Sequence, residues 1–371
     1  MLTVPQSDPG ASYAANRAAL DAAMQGALAS GWYILGKNVA AFEREFASWG
    51  SMSHALGVAN GTDAITVALK ALGIGEDHAV ATVSHTAVAS IVGIQLAGAT
   101  PILLDIDAFY TLDAHQLDSA RSVAEANGLR LGAILPVHLY GQPADLAAIT
   151  RFSAQQDCVV IEDCAQAHGA LWNGRLVGSI TEASSFSFYP TKNLGAFGDG
   201  GATGFRDADA MTRATQIRQY GWDSERRCQR FGMNTRLDEL QAAVLRTKLK
   251  GLDQDIQRRR DIAAAYQDGL RNLQLQLPVT RPDCVHAWHQ FVVALDNRDR
   301  FRQAMSDAGI GTAIHYAPPN HTHPAYANAL RASNLKRTYD VSSRIVSLPM
   351  FPELTDSQVS RVIDSVRASC N

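Results

Sequence analysis

The chain has 371 residues, with 33 Lys and Arg against 36 Asp and Glu, a formal net charge of -3. That near-balance gives no electrostatic reason to expect nucleic acid or an anionic membrane as a partner. Hydrophobic residues make up 46% and charged residues 19%, enough to build one large domain and one smaller one around real cores. No uncharged apolar run reaches membrane-spanning length. The start, Met1 to Pro9, has neither a basic region nor an apolar stretch, so a cytoplasmic location is expected. Cys158, Cys164, Cys228, Cys284 and Cys370 are scattered and form no CxxC, which reads as reduced thiols.

In chain order, Asn60-Gly61-Thr62-Asp63 comes first, followed by Ile65, Leu69 and Leu72 at helical spacing. A helix start at Gly61-Thr62 offers N–H groups and a dipole to a phosphate; an ordinary capped helix is the plainer reading. Strands are predicted at Ala79–Val83, Pro101–Ile106, Leu131–Val137, Cys158–Glu162, Ala183–Phe188 and Gly201–Phe205, with helical pattern between them, as at Asp145–Gln155. Continuous apolar runs suit strands covered on both faces, so an α/β domain with a large, mainly parallel sheet is expected. Arg236–Gly269 reads as a long helix that Gly251 bends or breaks. The rest is strand-like at Phe291–Leu295 and helix-like at Arg298–Ala308 and Thr355–Ala368. It reads as a smaller C-terminal α+β domain, giving a large domain over 1–250 and a small one over 251–371.

Two constellations carry chemistry. In Ser187-Phe188-Tyr189-Pro190-Thr191-Lys192-Asn193, a lysine follows a strand end and a Pro-containing turn. Gly195, Gly198, Gly200 and Gly201 come next and let the backbone approach a ligand closely. Alone, Lys192 is a solvated loop lysine. In Val159-Val160-Ile161-Glu162-Asp163, a buried strand ends in a carboxylate, where open α/β sheets bind ligands. Alone, Asp163 reads as a helix N-cap. Together they supply what pyridoxal phosphate (PLP) needs. A lysine amine holds its aldehyde as a Schiff base, and an acid keeps its pyridine nitrogen protonated. Lys192 follows Asp163 by 29 residues, one helix-and-strand crossover, which can put both on one rim of the sheet. Ser187 could give a hydroxyl to the phosphate held at Gly61-Thr62.

At this point the chain resembles the sugar aminotransferases of the DegT/DnrJ/EryC1/StrS group, of the fold-type-I PLP class. The resemblance begins at Gly31-Trp32-Tyr33-Ile34-Leu35-Gly36 and runs through Ala59-Asn60-Gly61-Thr62-Asp63-Ala64 and Val137-His138-Leu139-Tyr140-Gly141-Gln142. It continues through Ile161-Glu162-Asp163-Cys164-Ala165-Gln166, Phe188-Tyr189-Pro190-Thr191-Lys192-Asn193, Asn234-Thr235-Arg236-Leu237-Asp238-Glu239 and His315-Tyr316. The resemblance implies that Lys192 is the Schiff-base lysine, that Asp163 pairs with the pyridine nitrogen and that Gln166 bonds the ring hydroxyl. It implies that Gly61, Thr62, Asp63 and Ser187 meet the phosphate, with Thr62 and Asp63 offering backbone amides. Asn234 would reach the phosphate in the other subunit of a homodimer with shared sites. Tyr33, Tyr189, His315 and Tyr316 would line a nucleotide-sugar cleft. Relatives usually place an aromatic over the ring where this chain has Ala87; His85 is the planar side chain available to stack, unless it is a core or helix-start histidine. Thr235 stands where many relatives carry Tyr.

The resemblance also implies the reaction: glutamate donates its amino group and a nucleotide-linked keto-sugar receives it. The loop wording is similar to that of relatives aminating C3 of a dTDP-3-keto-6-deoxyhexose, with C4 the alternative. Other classes fit less well. Sugar dehydratases of the family often replace the lysine with histidine. A non-catalytic PLP- or sugar-binding regulator would normally carry an appended DNA-binding element. A Rossmann enzyme needs a GxGxxG after its first strand, and the glycines near Lys192 come too late. No metal site is expected: Pro318, Pro319 and Pro324 fix the loop of His315, His321 and His323 as turns, with no helical His pair. Arg258-Arg259-Arg260 reads as a solvated helix face.

Overall fold

Alternating strands and helices give the chain its frame. A computed structural model describes residues 3–370. The strands in the first half are β1 (His54–Val58), β2 (His78–Val83), β3 (Thr100–Leu104), β4 (Arg130–Ile134) and β5 (Val159–Asp163). The short β6 (Leu171–Trp172) and β7 (Arg175–Leu176) lead to β8 (Ala183–Ser187) and β9 (Gly201–Phe205). The C-terminal third holds β10 (Cys284–Val285), β11 (Phe291–Ala294), β12 (Leu330–Arg331) and β13 (Ile345–Leu348).

The large sheet runs β1-β9-β8-β5-β4-β2-β3-β12. From β8 to β12 every pair is parallel; only β9 runs against both neighbours. Both faces are covered, as the continuous apolar runs require. In β2, Ala79, Ala81 and Val83 enter one core with Ile102, Leu104 and Ile134, while Val80 enters the opposite core with Ile65, Leu69 and Ile161. β1 escapes the sequence reading because it is a short edge strand interrupted by Gly57. The strand expected to reach Val137 ends at Ile134, and Val137 keeps a single bridge to Asp163.

The long helix expected over Arg236–Gly269 is two helices, Glu239–Leu249 and Leu252–Leu270, broken at Lys250-Gly251. It also starts later, because Asp238 is extended and bridged to Ile34, and Glu239 donates its amide to the Tyr33 carbonyl at 3.0 Å. The buried Glu239 carboxylate accepts the backbone N–H groups of Gly36, Asn38 and Val39 at 2.8, 2.9 and 2.7 Å. This satisfies the open N-terminus of the helix Lys37–Trp49.

Arg258-Arg259-Arg260 is not a solvated face. Arg259 is buried and donates to the Trp288 and Met350 carbonyls at 3.3 and 2.9 Å. Arg258 bonds the Leu354 carbonyl and Asp356, and Arg260 bonds the Gly169 carbonyl. The three arginines fasten this helix to its surroundings, because the segments around Gly169, Trp288 and Met350 close over it.

In the C-terminal third, β11 and β13 pair antiparallel over a core of Tyr266, Phe291, Phe301, Met305 and Val362. We propose the domain boundary at the Gly251 break, with two exchanges across it. β12 joins the large sheet beside β3, and Thr3 and Val4 bond Gly309. No helix among the described residues is long and apolar enough to cross a membrane.

Candidate active site

The carboxyl ends of β5 and β8 and the start of the helix Gly61–Ala71 converge on one cleft. Asp163 is the last residue of β5, buried at 4% exposure. Its Oδ2 accepts from Ser90 Oγ at 2.8 Å and its Oδ1 from the Ala165 amide at 3.1 Å. Burial pushes its carboxyl above the ordinary range, and Ser90, Ala165 and the charge of Lys192 draw it back.

Lys192 lies in the turn after β8, where its backbone N–H closes onto the Tyr189 carbonyl at 2.8 Å. The side chain opens partly onto the cleft, but its amine lies deep among protein atoms. Burial lowers its pKa from 10.5 to about 8, against the pull of Asp163. A neutral amine, the nucleophilic form, is therefore accessible near physiological pH.

The helix Gly61–Ala71 starts as the sequence predicts, capped by Asn60. The cap takes the Asp63 amide, at 2.9 Å from Asn60 Oδ1, so that expected phosphate donor is engaged. The amides of Gly61 and Thr62 have no acceptor among the described residues. Two glycines keep this corner open. A Cβ on Gly61 would meet Ser187 Cβ at 2.7 Å, and one on Gly201 would meet the Asn60 carbonyl at 2.4 Å. The helix start is thus pressed against Ser187, whose hydroxyl faces the same space.

Gln166 uses both ends of its amide. Its Oε1 accepts from the Tyr140 backbone at 2.7 Å and its Nε2 donates to Tyr316 Oη at 2.8 Å. Tyr316 is thereby joined to the Asp163 side of the cleft, and burial pushes its phenol up to about 12. His315 bonds Ser347 Oγ at 2.8 Å, and burial together with Lys192 lowers it to about 4. His85 is fully buried and bonds Tyr140 Oη at 2.8 Å. Tyr33 and Tyr189 are both more than half exposed, at 53% and 54%. Asn234 is exposed on the segment after Gln219, to which it is bridged.

Sequence reasoning passed over Ser90, Thr235 as a structural donor, and Tyr140. Thr235 Oγ1 donates to Asp63 at 2.6 Å and accepts from the Ala59 amide at 3.1 Å, which locks the phosphate corner. Tyr140 and Thr235 had a signal, their places in the Val137–Gln142 and Asn234–Glu239 motifs; nothing in the sequence marks Ser90.

His138, Glu162 and Cys164 lie within 4.8 Å of one another, a grouping that could suit a metal. Yet His138 bonds Glu162 through Nε2 at 3.1 Å and the Ala144 amide through Nδ1 at 3.0 Å. Both nitrogens are committed. Burial alone would raise Glu162, but His138 and the amides of Gly178 and Ile180 hold it below its ordinary value. The trio is a structural clasp.

The model of the DegT/DnrJ/EryC1/StrS aminotransferase family matches residues 15–367. The chain belongs to that family. It is therefore a PLP-dependent aminotransferase. It is 42% identical, over 98% of its length and 95% of the relative's, to a dTDP-3-amino-3,4,6-trideoxy-alpha-D-glucose transaminase of Streptomyces venezuelae. It is 43% identical, over 93% of each chain, to a dTDP-3-amino-3,6-dideoxy-alpha-D-galactopyranose transaminase of Aneurinibacillus thermoaerophilus. The fold superposes on the crystal structure of DesV from S. venezuelae with a TM-score of 0.95, at 40% identity, covering 100% of this chain and 99% of that one.

The donor set of this aminotransferase fits its cofactor. Two amides at a helix N-terminus and a serine hydroxyl suit a phosphate. A buried carboxylate suits a pyridinium, and a deprotonable buried amine suits an aldehyde. One consequence is measurable without the cofactor. The folded protein holds Lys192 at about 8 and the unfolded chain at 10.5. Between those values the unfolded state binds more protons, so stability rises with pH. Cofactor-free protein should therefore gain thermal stability relative to Lys192→Ala from pH 8 to pH 10, with no such relative gain from pH 6 to pH 7.5. A flat difference across that window would contradict the depressed amine.

Proposed function

We propose that the chain transfers an amino group from glutamate to C3 of a dTDP-3-keto-6-deoxyhexose. The product is a dTDP-3-amino-3,6-dideoxyhexose. The observation that carries the chemistry is the deep Lys192 amine within electrostatic reach of the buried Asp163 carboxylate. When bound, PLP supplies a cationic ring into which negative charge from the broken C–H bond can spread. Asp163 holds the proton on the ring nitrogen. Gly61, Thr62 and Ser187 anchor the phosphate. Lys192 would take the proton from the donor's α-carbon and return it to the cofactor carbon across the nitrogen; one water would then release the keto acid and leave the amino group with the cofactor. The sugar's carbonyl then receives the amine as the steps reverse and a water is released, which is ping-pong chemistry.

Support for a sugar nucleotide comes from the two relatives above, whose names state dTDP-linked sugars. Support for C3 comes from the two relatives above, whose names state 3-amino products. We place the enzyme in a homodimer that completes each site with the partner's copy of the Asn234 segment. Trp32 at 64% and Phe231 at 99% exposure are aromatic surfaces that such a partner would cover. Reduced thiols at all five cysteines suit a cytoplasmic enzyme.

The test is a panel of dTDP-3-keto- and dTDP-4-keto-6-deoxyhexoses with PLP-loaded enzyme and glutamate, read by product mass and NMR. Amination at C3 is expected. Turnover only of the 4-keto sugars would overturn the regiochemistry, and turnover of none would overturn the acceptor class.

A further inference from the structure

The turn that carries Lys192 doubles back on itself. The Lys192 amide bonds the Tyr189 carbonyl and the Ala196 amide bonds the Phe188 carbonyl, each at 2.8 Å. A Cβ on Gly195 would meet the Pro190 carbonyl oxygen at 2.4 Å, so only glycine lets the turn close this tightly. Packing alone does not fix the turn on one side. A small cavity lies there, lined by Thr191 and Asn193 of the turn and by Lys248, Asp255 and Glu353. Side-chain hydrogen bonds tie the turn to its surroundings instead. Lys248 Nζ donates to the Gly195 carbonyl at 2.8 Å, its one hydrogen bond among the described residues, and lies 5.6 Å from the centre of the Phe197 ring. Gln241 Oε1 accepts from the Phe197 amide at 2.8 Å. The turn's own Asn193 adds a third tie, to the Ala287 carbonyl at 3.1 Å. Gln241 and Lys248 both belong to the helix Glu239–Leu249. Their spacing is about two helical turns, which puts both side chains on one face.

We propose that Gln241 and Lys248 are positioning residues: together they clamp the Lys192 turn to the helix Glu239–Leu249 and so set the depth and direction of the Lys192 side chain. This rests on the reading of Lys192 as the cofactor lysine. The clamp grips backbone atoms of Gly195 and Phe197, so it governs where the amine sits and leaves the amine itself untouched. Placement matters because a displacement of about 1 Å at a reacting group can cost about 10²-fold in rate.

The test uses the full-length enzyme and four variants: Gln241→Leu, Lys248→Met, Lys248→Arg and, as a control, Lys250→Met at an exposed lysine at the end of the same helix. PLP-loaded wild type is first reduced with borohydride and mapped. Absence of the label from Lys192 would defeat the reading of that lysine, separately from the clamp. Cofactor-free protein is then treated with an amine-acylating reagent over a pH series, and the label on Lys192 is quantified by mass spectrometry. The wild-type midpoint should lie near 8. Asp163, His168, His289 and His315 are titratable groups within electrostatic reach of this amine, and no variant alters them. Gln241→Leu and Lys248→Met should each move the midpoint upward by about one pH unit, because a loosened turn lets water reach the amine. Gln241→Leu changes no charge, so a shift shared by both variants reports burial. In PLP-loaded enzyme both should lose about 10-fold in the single-turnover rate with glutamate. The KM for the sugar nucleotide should stay within about twofold of wild type. Lys248→Arg keeps a donor for Gly195 and should recover most of both effects, and Lys250→Met should match the wild type. An unchanged midpoint in Gln241→Leu and Lys248→Met would overturn the proposal, even if both variants melted lower. So would wild-type single-turnover rates in both, or no recovery in Lys248→Arg.

Discussion

Lys192→Ala should lower amino transfer by about 10³-fold or more while leaving the fold intact. A positioned general acid–base alone contributes about 10²–10⁴-fold, and on the proposed reading this lysine also supplies the nucleophile that holds the cofactor. Its amine is deep and easily deprotonated because burial, opposed by Asp163, lowers it to about 8. Removing a desolvated amine should raise the melting temperature of cofactor-free protein at neutral pH rather than lower it. Lys192→Arg separates charge from reactivity. Guanidinium keeps the charge but gives up no proton in a protein, so it should be as inactive as the alanine variant. Single-turnover kinetics with glutamate decide this. Residual activity within about 10-fold of wild type in either variant would mean that another group moves the proton.

Asp163→Asn should cost about 10²–10³-fold in kcat, the usual effect of removing one preorganised electrostatic partner, with little change in the KM for the sugar nucleotide. Asparagine can keep the Ser90 and Ala165 contacts at 2.8 and 3.1 Å, but it cannot carry the charge proposed to hold a proton on the ring nitrogen. The stability effect should have the opposite sign. The folded state raises the Asp163 carboxyl, so its charged form destabilises the empty protein above the unfolded pKa. The asparagine variant should accordingly melt higher without cofactor at pH 7. A variant with wild-type kcat would show that the ring nitrogen needs no anionic partner here.

Much of this was legible because the decisive signals are local. Asn60-Gly61 announces a capped helix start through cap chemistry and spacing, and the structure begins that helix at Gly61. The run Val159–Glu162 announces a doubly covered strand, and Asp163 follows at its carboxyl end. What was illegible depends on long-range packing. Arg258-Arg259-Arg260 reads as surface because a local pattern cannot see Trp288 and Met350 closing over Arg259. The helix drawn from Arg236 starts only at Glu239, because Asp238 is held extended by its bridge to Ile34, far earlier in the chain. β12 could not be foreseen as part of the large sheet, since two residues carry no period. At the site, the Asp63 amide was expected to face a phosphate, and the Asn60 side chain that starts the helix bonds it at 2.9 Å.

The central claim is that one lysine holds the cofactor opposite Asp163. It is tested most directly by loading the purified protein with PLP, reducing with borohydride and mapping the modified peptide by mass spectrometry. The expected result is one covalent label, on Lys192, absent when glutamate is added before the reductant and absent in Lys192→Ala. A label on any other lysine, or none, would contradict the account.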